Sequence, residues 1–137
     1  MRRGLAGALS GLLALAALPA TGKDVKLHAH QYIREDDMTL YGFATEAFES
    51  PQFDPNGYWR GPIWPPATYL IFTGLRDAGE TALARLQAER WCAMVARDNI
   101  FWENFAPETG SGNCSPALGW TAGVFIRMAA WLAANPG

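Results

Sequence analysis

Apolar residues gather along this chain in four helical stretches, separated by segments rich in Gly, Pro, Asp and Asn. The first is an uncharged Ala/Leu/Gly run from Leu5 to Leu18. The second is predicted to begin near Trp64, because Pro65 and Pro66 are tolerated only in a first turn, where no amide donor is needed. It continues as Ala67-Thr68-Tyr69-Leu70-Ile71-Phe72-Thr73-Gly74-Leu75, apolar nearly all round, the pattern of a helix buried on most faces. The third is predicted from about Glu80 to Arg97, after a turn marked by Asp77 and Gly79. Ala84, Ala88, Trp91, Cys92 and Val95 share one face, and Glu80, Arg85, Glu89 and Arg97 lie largely off it, as in an amphipathic outer helix. The fourth is predicted to start at Ser115-Pro116, an N-cap residue with proline at the first helical position. It runs through Trp120, Val124, Phe125, Ile126, Met128 and Trp131 to Ala134, where Asn135-Pro136-Gly137 stops it, and it too reads as enclosed nearly all round.

Between the first two helices, Thr21 to Pro62 reads as a long irregular segment whose aromatic content argues for an ordered binding loop. Asp54-Pro55-Asn56-Gly57 within it is turn chemistry. The order that results is buried helix, amphipathic helix, loop, buried helix. An (α/α) barrel alternates in this way, with inner helices enclosed and outer helices half in water. Gly61-Pro62-Ile63-Trp64 and Ser115-Pro116-Ala117-Leu118-Gly119-Trp120 read as one element repeated a hairpin apart.

Composition narrows the function classes. A chain of 137 residues supports one small domain, and half of them are apolar, which marks a globular protein. A net charge of −2 gives no reason to expect nucleic acid or an anionic membrane as partner. His28 and His30 form an HxH pair, but no Cys or His cluster completes a metal site, so neither metal nor cofactor is expected. Cys92 lies on a helical face and reads as a buried free thiol, whereas Cys114 sits in a Gly/Ser/Asn loop. Residues 1–22 carry two readings. Met1-Arg2-Arg3, the apolar run and Pro19-Ala20 have the layout of a signal peptide, which implies a periplasmic or secreted protein. The same run also fits a barrel helix, which implies the cytoplasm. It is too short for a comfortable membrane span.

Two strings carry candidate chemistry: Tyr58-Trp59-Arg60-Gly61-Pro62-Ile63-Trp64 and Phe101-Trp102-Glu103-Asn104-Phe105-Ala106-Pro107-Glu108-Thr109-Gly110. Aromatic faces beside a carboxylate and an amide suit a sugar, whose C–H groups stack on rings and whose hydroxyls take the polar heads. GFATEAF, GYWRGPIWPPATYLI, WENFAPETGSG and LGWTAGVF, in that order, resemble the C-terminal part of the catalytic barrel of six-hairpin glycosidases. The likeness runs from about Tyr41 to Trp131 and is strongest to bacterial relatives of glycoside hydrolase family 63. These include processing α-glucosidases, mannosylglycerate-hydrolase-like enzymes and amylo-α-1,6-glucosidase-type proteins.

The resemblance implies an all-α fold, a fragment of an (α/α)6 toroid of about two helical hairpins with long loops over residues 23–137. It implies an inverting glycosidase acting on an α-glucoside or α-mannoside, with Glu103 as general base. The aromatics around Glu103 are expected to desolvate it and raise its pKa toward working pH. Asn104 beside it is placed to hydrogen-bond a hydroxyl or the water. Tyr58, Trp59, Arg60, Gly61, Trp64 and Trp120 are the candidate sugar-binding residues. Arg60 suits a hydroxyl or carboxylate, and Gly61 would let backbone approach a ligand. Trp91 and Trp131 are expected in the core. Glu46 is read as lining the site or bonding backbone, and Glu108 as shaping a turn. The family's general acid lies upstream of the YWRGP string, and Glu35-Asp36-Asp37 does not resemble its motif. The isolated chain is therefore expected to be inactive alone, to lack an N-terminal barrel half and to self-associate through uncovered helices. The alternatives are a non-catalytic carbohydrate-binding remnant and an exported helical interaction protein.

Overall fold

The computed structural model describes residues 24–28, 31–34 and 38–137, with side-chain surroundings from Met38 onward. The expected first helix, His30 and the Glu35-Asp36-Asp37 run lie outside the described residues. β1 (Asp24–His28) and β2 (Gln31–Arg34) form an antiparallel pair, with Asp24 opposite Arg34 and Val25 opposite Ile33. This corrects the irregular reading of that stretch. Val25-Lys26-Leu27-His28 alternates apolar and polar with a period of two, the signal of a half-buried strand.

α1 (Pro65–Asp77) follows Trp64, an extended residue at φ −106°, and carries its two prolines in the first turn. Its end is a Schellman motif. The Glu80 amide donates to the Leu75 carbonyl at 2.8 Å and the Gly79 amide to the Arg76 carbonyl at 3.0 Å. Gly79 sits at φ +79°, where a side chain would be strained. α2 (Thr81–Asp98) starts two residues after this glycine and ends at Asn99 in the left-handed region. The two helices match the predicted ones to within a residue at each predicted boundary.

α2 is the centre of the molecule. It buries Leu83, Ala84, Leu86, Gln87, Ala88, Trp91, Met94 and Val95 against α1 and the last helix, while Arg85, Glu89 and Arg97 stay outside that buried face, as its amphipathic pattern suggested. α1 contributes Thr68, Phe72 and Leu75 to this core, with the Gln87 amide donating to the Thr68 carbonyl at 3.2 Å.

Two short strands, β3 (Asn104–Phe105) and β4 (Gly112–Asn113), pair antiparallel and hold the second candidate string. Phe105 exchanges both backbone bonds with Ile63, at 2.8 and 3.0 Å, and its ring meets Trp91 edge to face at 5.4 Å. The entry to α1 is thereby fastened beside Glu103.

α3 (Gly119–Ala134) begins three residues later than Ser115-Pro116 predicted, with Leu118 at its N-cap. The reason is tertiary. The Ser115 carbonyl accepts from the Glu103 amide at 2.9 Å, and the Leu118 amide donates to the Phe101 carbonyl at 2.8 Å. Cys114 and Ala117 both take φ +63° to make this pairing, so the segment is committed to 101–103 before a helix can start. α3 buries only Thr121, Val124 and Met128. Among the described residues the fold is otherwise helical, in line with the all-α expectation.

Candidate functional site

Glu103 sits just before β3, half exposed, and both its carboxylate oxygens are held. The Tyr58 hydroxyl donates to Oε1, and the Ser115 amide donates to Oε2 at 3.3 Å. The Tyr58 hydroxyl holds the Glu103 carboxyl below the usual range, opposed by some desolvation and reinforced by Ser115. The direction is opposite to the one expected from neighbouring aromatics. A hydroxyl donor aimed at the charged form outweighs partial loss of water, because Glu103 is not deeply buried. The same bond, with desolvation and the negative charge of Glu103, raises the Tyr58 phenol above its ordinary value.

The YWRGP loop is built on the Asp54–Gly57 turn. The Gly57 amide donates to the Asp54 carbonyl at 2.8 Å, and the Asn56 amide to Asp54 Oδ1 at 2.9 Å. Asp54 is thus a turn residue, as its string suggested. Thr45 holds the other side: its hydroxyl donates to the Pro62 carbonyl at 2.9 Å and accepts from the Gly61 amide at 3.2 Å. Gly61 is buried, and a Cβ there would overlap the Asp54 backbone. Its need for glycine follows from this internal packing.

Trp59 lies stacked on Trp64, ring centroids 3.8 Å apart and 14° from parallel. Tyr58 meets Trp64 edge to face at 4.7 Å, and Trp120 meets it at 5.7 Å and 73°. Trp64 is fully buried under these rings, and its indole N–H donates to the Tyr58 carbonyl. It is the floor of the cluster and offers no face to a sugar, a correction to its expected role. Trp59, 51% exposed, and Trp120, 42% exposed, present the open faces. Arg60 is exposed on the same rim, and its side chain makes no hydrogen bond or ion pair to the described residues.

Asn104 is buried, and its side-chain amide donates to Cys114 Sγ at 3.5 Å. It braces the loop behind Glu103 and does not face solvent, which also corrects its expected role. Both cysteines are free thiols. Ser115 and Gly112 are the residues that sequence reasoning missed. Trp102 lies so close over Gly112 that any Cβ there would collide with its ring. The Gly110-Ser111-Gly112 spacing is the trace of this that the sequence offered.

A separate apolar cleft of about 470 Å³ runs between α1 and α3, lined by Pro66, Tyr69, Leu70, Trp120, Val124 and Arg127 among others. Trp120 is the residue shared between this cleft and the aromatic cluster. Among the described residues there is no group of three His, Cys, Asp or Glu that could hold a metal ion, and no helix is long and apolar enough to cross a membrane.

Known proteins are similar to this chain. The mannosylglycerate hydrolase MGH1-like glycoside hydrolase domain matches residues 5–121. The chain is 31% identical over 123 residues to mannosylglycerate hydrolase MGH1 of Selaginella moellendorffii, covering 90% of this chain and 24% of that one. It is 34% identical over 119 residues to the mannosylglycerate hydrolase of Thermus thermophilus, covering 85% and 28%. Among solved structures, the GH63 mannosylglycerate hydrolase from Thermus thermophilus in complex with Tris and D-glycerate is similar, with TM-score 0.61 and 31% identity. That likeness covers 66% of this chain and 22% of that protein. The chain spans about a quarter of the length of the curated relatives it matches.

Proposed function

The chain belongs to the mannosylglycerate hydrolase MGH1-like glycoside hydrolase family, its helices forming part of an (α/α)6 barrel, and on that premise we propose that it supplies the general-base side of an inverting glycosidase. The observation that carries this reading is the Glu103 carboxylate, partly exposed beside an aromatic rim with both oxygens held by hydrogen-bond donors. In an inverting hydrolysis such a group takes a proton from the water that attacks the anomeric carbon, while a second carboxyl protonates the leaving oxygen. No described residue is assigned that second role.

The substrate proposed is an α-mannoside or α-glucoside. The outer face of Trp59 and the exposed edge of Trp120 suit stacking on pyranose C–H groups. Arg60, without a hydrogen bond or ion pair to the described residues, suits a hydroxyl or a carboxylate on the group attached to the sugar. A glycerate-linked sugar of the kind that gives the relatives their name would present such a carboxylate.

The test is hydrolysis of an α-mannosyl and an α-glucosyl glycerate by this chain reconstituted with a barrel segment that supplies the general acid, with the anomer of the product read by NMR. Glu103→Gln should lower turnover by roughly 10²–10⁴-fold with binding retained. Undiminished turnover in that variant would overturn the assignment of the base. Binding without turnover, lost in Trp59→Ala, would favour a carbohydrate-binding role, for which the open Trp59 face is the supporting observation.

A further inference from the structure

We propose that Tyr58 is a positioning residue for Glu103 and not a sugar contact: its hydroxyl and the Ser115 amide form a clamp that fixes both oxygens of the carboxylate. The sequence placed Tyr58 on the sugar-binding rim with Trp59. The two neighbours are about equally exposed, at 49% and 51%, but only Tyr58 carries a polar group bonded to Glu103. The single hydroxyl proton of Tyr58 is already donated to Glu103 Oε1, so it is not free for a sugar hydroxyl.

The clamp is braced from both sides. Trp64, fully buried, holds Tyr58 twice, with the edge-to-face ring contact at 4.7 Å and the indole N–H bond to the Tyr58 carbonyl. Across the site, Glu103 and Ser115 exchange bonds. The Glu103 amide donates to the Ser115 carbonyl at 2.9 Å, and the Ser115 amide returns to the carboxylate at 3.3 Å. The left-handed backbone at Cys114 and Ala117 brackets that amide and sets its direction. Each carboxylate oxygen accepts one bond from the clamp and keeps lone-pair capacity for a water. The carboxylate is thereby oriented and kept ionised as the medium becomes more acidic, at the cost of some intrinsic basicity.

The catalytic meaning of this clamp rests on Glu103 being the base, but the clamp can be tested without turnover. The experiment follows the Glu103 side-chain carboxyl by carbon NMR through an acid titration of the whole chain, with Glu103→Gln identifying the resonance. In the native chain Glu103 should titrate below ordinary glutamates. Tyr58→Phe keeps the ring on Trp64 and removes only the hydroxyl, and it should move that titration upward. Reciprocally, Glu103→Gln should bring the Tyr58 phenol down toward ordinary tyrosine in an ultraviolet titration. If neither group moves when its partner is removed, the clamp is overturned and Tyr58 is only packing. If Tyr58→Phe loses the aromatic near-ultraviolet circular dichroism of the folded chain, the Glu103→Gln arm decides alone.

Where hydrolysis is measurable, Tyr58→Phe should shift the acid limb of kcat/KM upward with KM little changed. A raised KM with an unmoved limb would instead return Tyr58 to the sugar contacts and overturn the proposal. Coupled titrations together with undiminished hydrolysis by Glu103→Gln would leave the clamp standing and remove only the base assignment.

Discussion

α2 and α3 look mismatched with their surroundings. α2 carries five charged residues, Arg85, Glu89, Arg90, Arg97 and Asp98, yet it buries eight positions at the centre of the molecule. α3 carries one, Arg127, yet buries three and leaves Ile126 62% exposed. A helix is enclosed by what packs on it, and composition records only what it can tolerate. The charges of α2 sit at its rim and work there: Arg97 donates to the Thr109 and Gly110 carbonyls at 3.1 and 2.6 Å, and Arg90 to the Thr39 carbonyl at 2.7 Å. The apolar outer faces of α1 and α3 meet no described neighbour, and they frame the cleft between them.

The contrast is most exposed to failure in the core. Trp91 on α2 is fully buried against Phe105, so Trp91→Ala should cost about 3–5 kcal/mol in urea unfolding. Ile126→Ala on α3 should stay within about 0.5 kcal/mol. Equal losses would mean that α3 is covered in solution by something outside the described residues. Next in size, Gly112→Ala should cost about 1–3 kcal/mol, because the added carbon meets the Trp102 ring and one of the two must move. A neutral result would show that the loop carrying Glu103 is softer than its packing implies.

The uncovered surface leads to a subtler expectation. Leu70, 70% exposed, lines the α1–α3 cleft with Trp120, Ile126 is exposed elsewhere on α3, and apolar surface of this kind favours association. Leu70→Glu combined with Ile126→Glu should shift sedimentation toward monomer with little change in the unfolding midpoint. If the native chain already sediments as a monomer, self-association is not the fate of this face. The smallest effect concerns the thiols. Burial on α2 pushes the Cys92 thiol up to about 12, while Cys114 is exposed in the site loop. An alkylating reagent at mildly alkaline pH should therefore label Cys114 first, and that preference should vanish in denaturant. Equal labelling of the native chain would place the second face of α2 in water.

Some of this is legible in the order of residues alone. The prolines at 65 and 66 locate the start of α1, Gly79 locates its end, and Asp54-Pro55-Asn56-Gly57 locates a turn, because each acts through its own backbone. Ser115-Pro116 is an equally good local signal and fails, since its carbonyl is taken by the Glu103 amide from elsewhere in the chain. The aromatic strings point to one cluster, and Tyr58, Trp59, Trp64, Glu103 and Trp120 do meet or adjoin there. Which of them faces outward is not legible, since Trp59 and Trp64 are chemically identical and differ only in which lies on top.

The sequence by itself determined α1 and α2, the turns around them, the family and the residue types gathered at the site, because these depend on local backbone preferences and on the order of side chains. The tertiary structure alone decided that Trp64 lies buried under the other rings, that Asn104 is buried against Cys114, and that both oxygens of Glu103 accept hydrogen bonds. Those outcomes depend on which distant atoms approach: a phenol hydroxyl 45 positions away donates to one carboxylate, and no pattern of neighbours along the chain contains that contact.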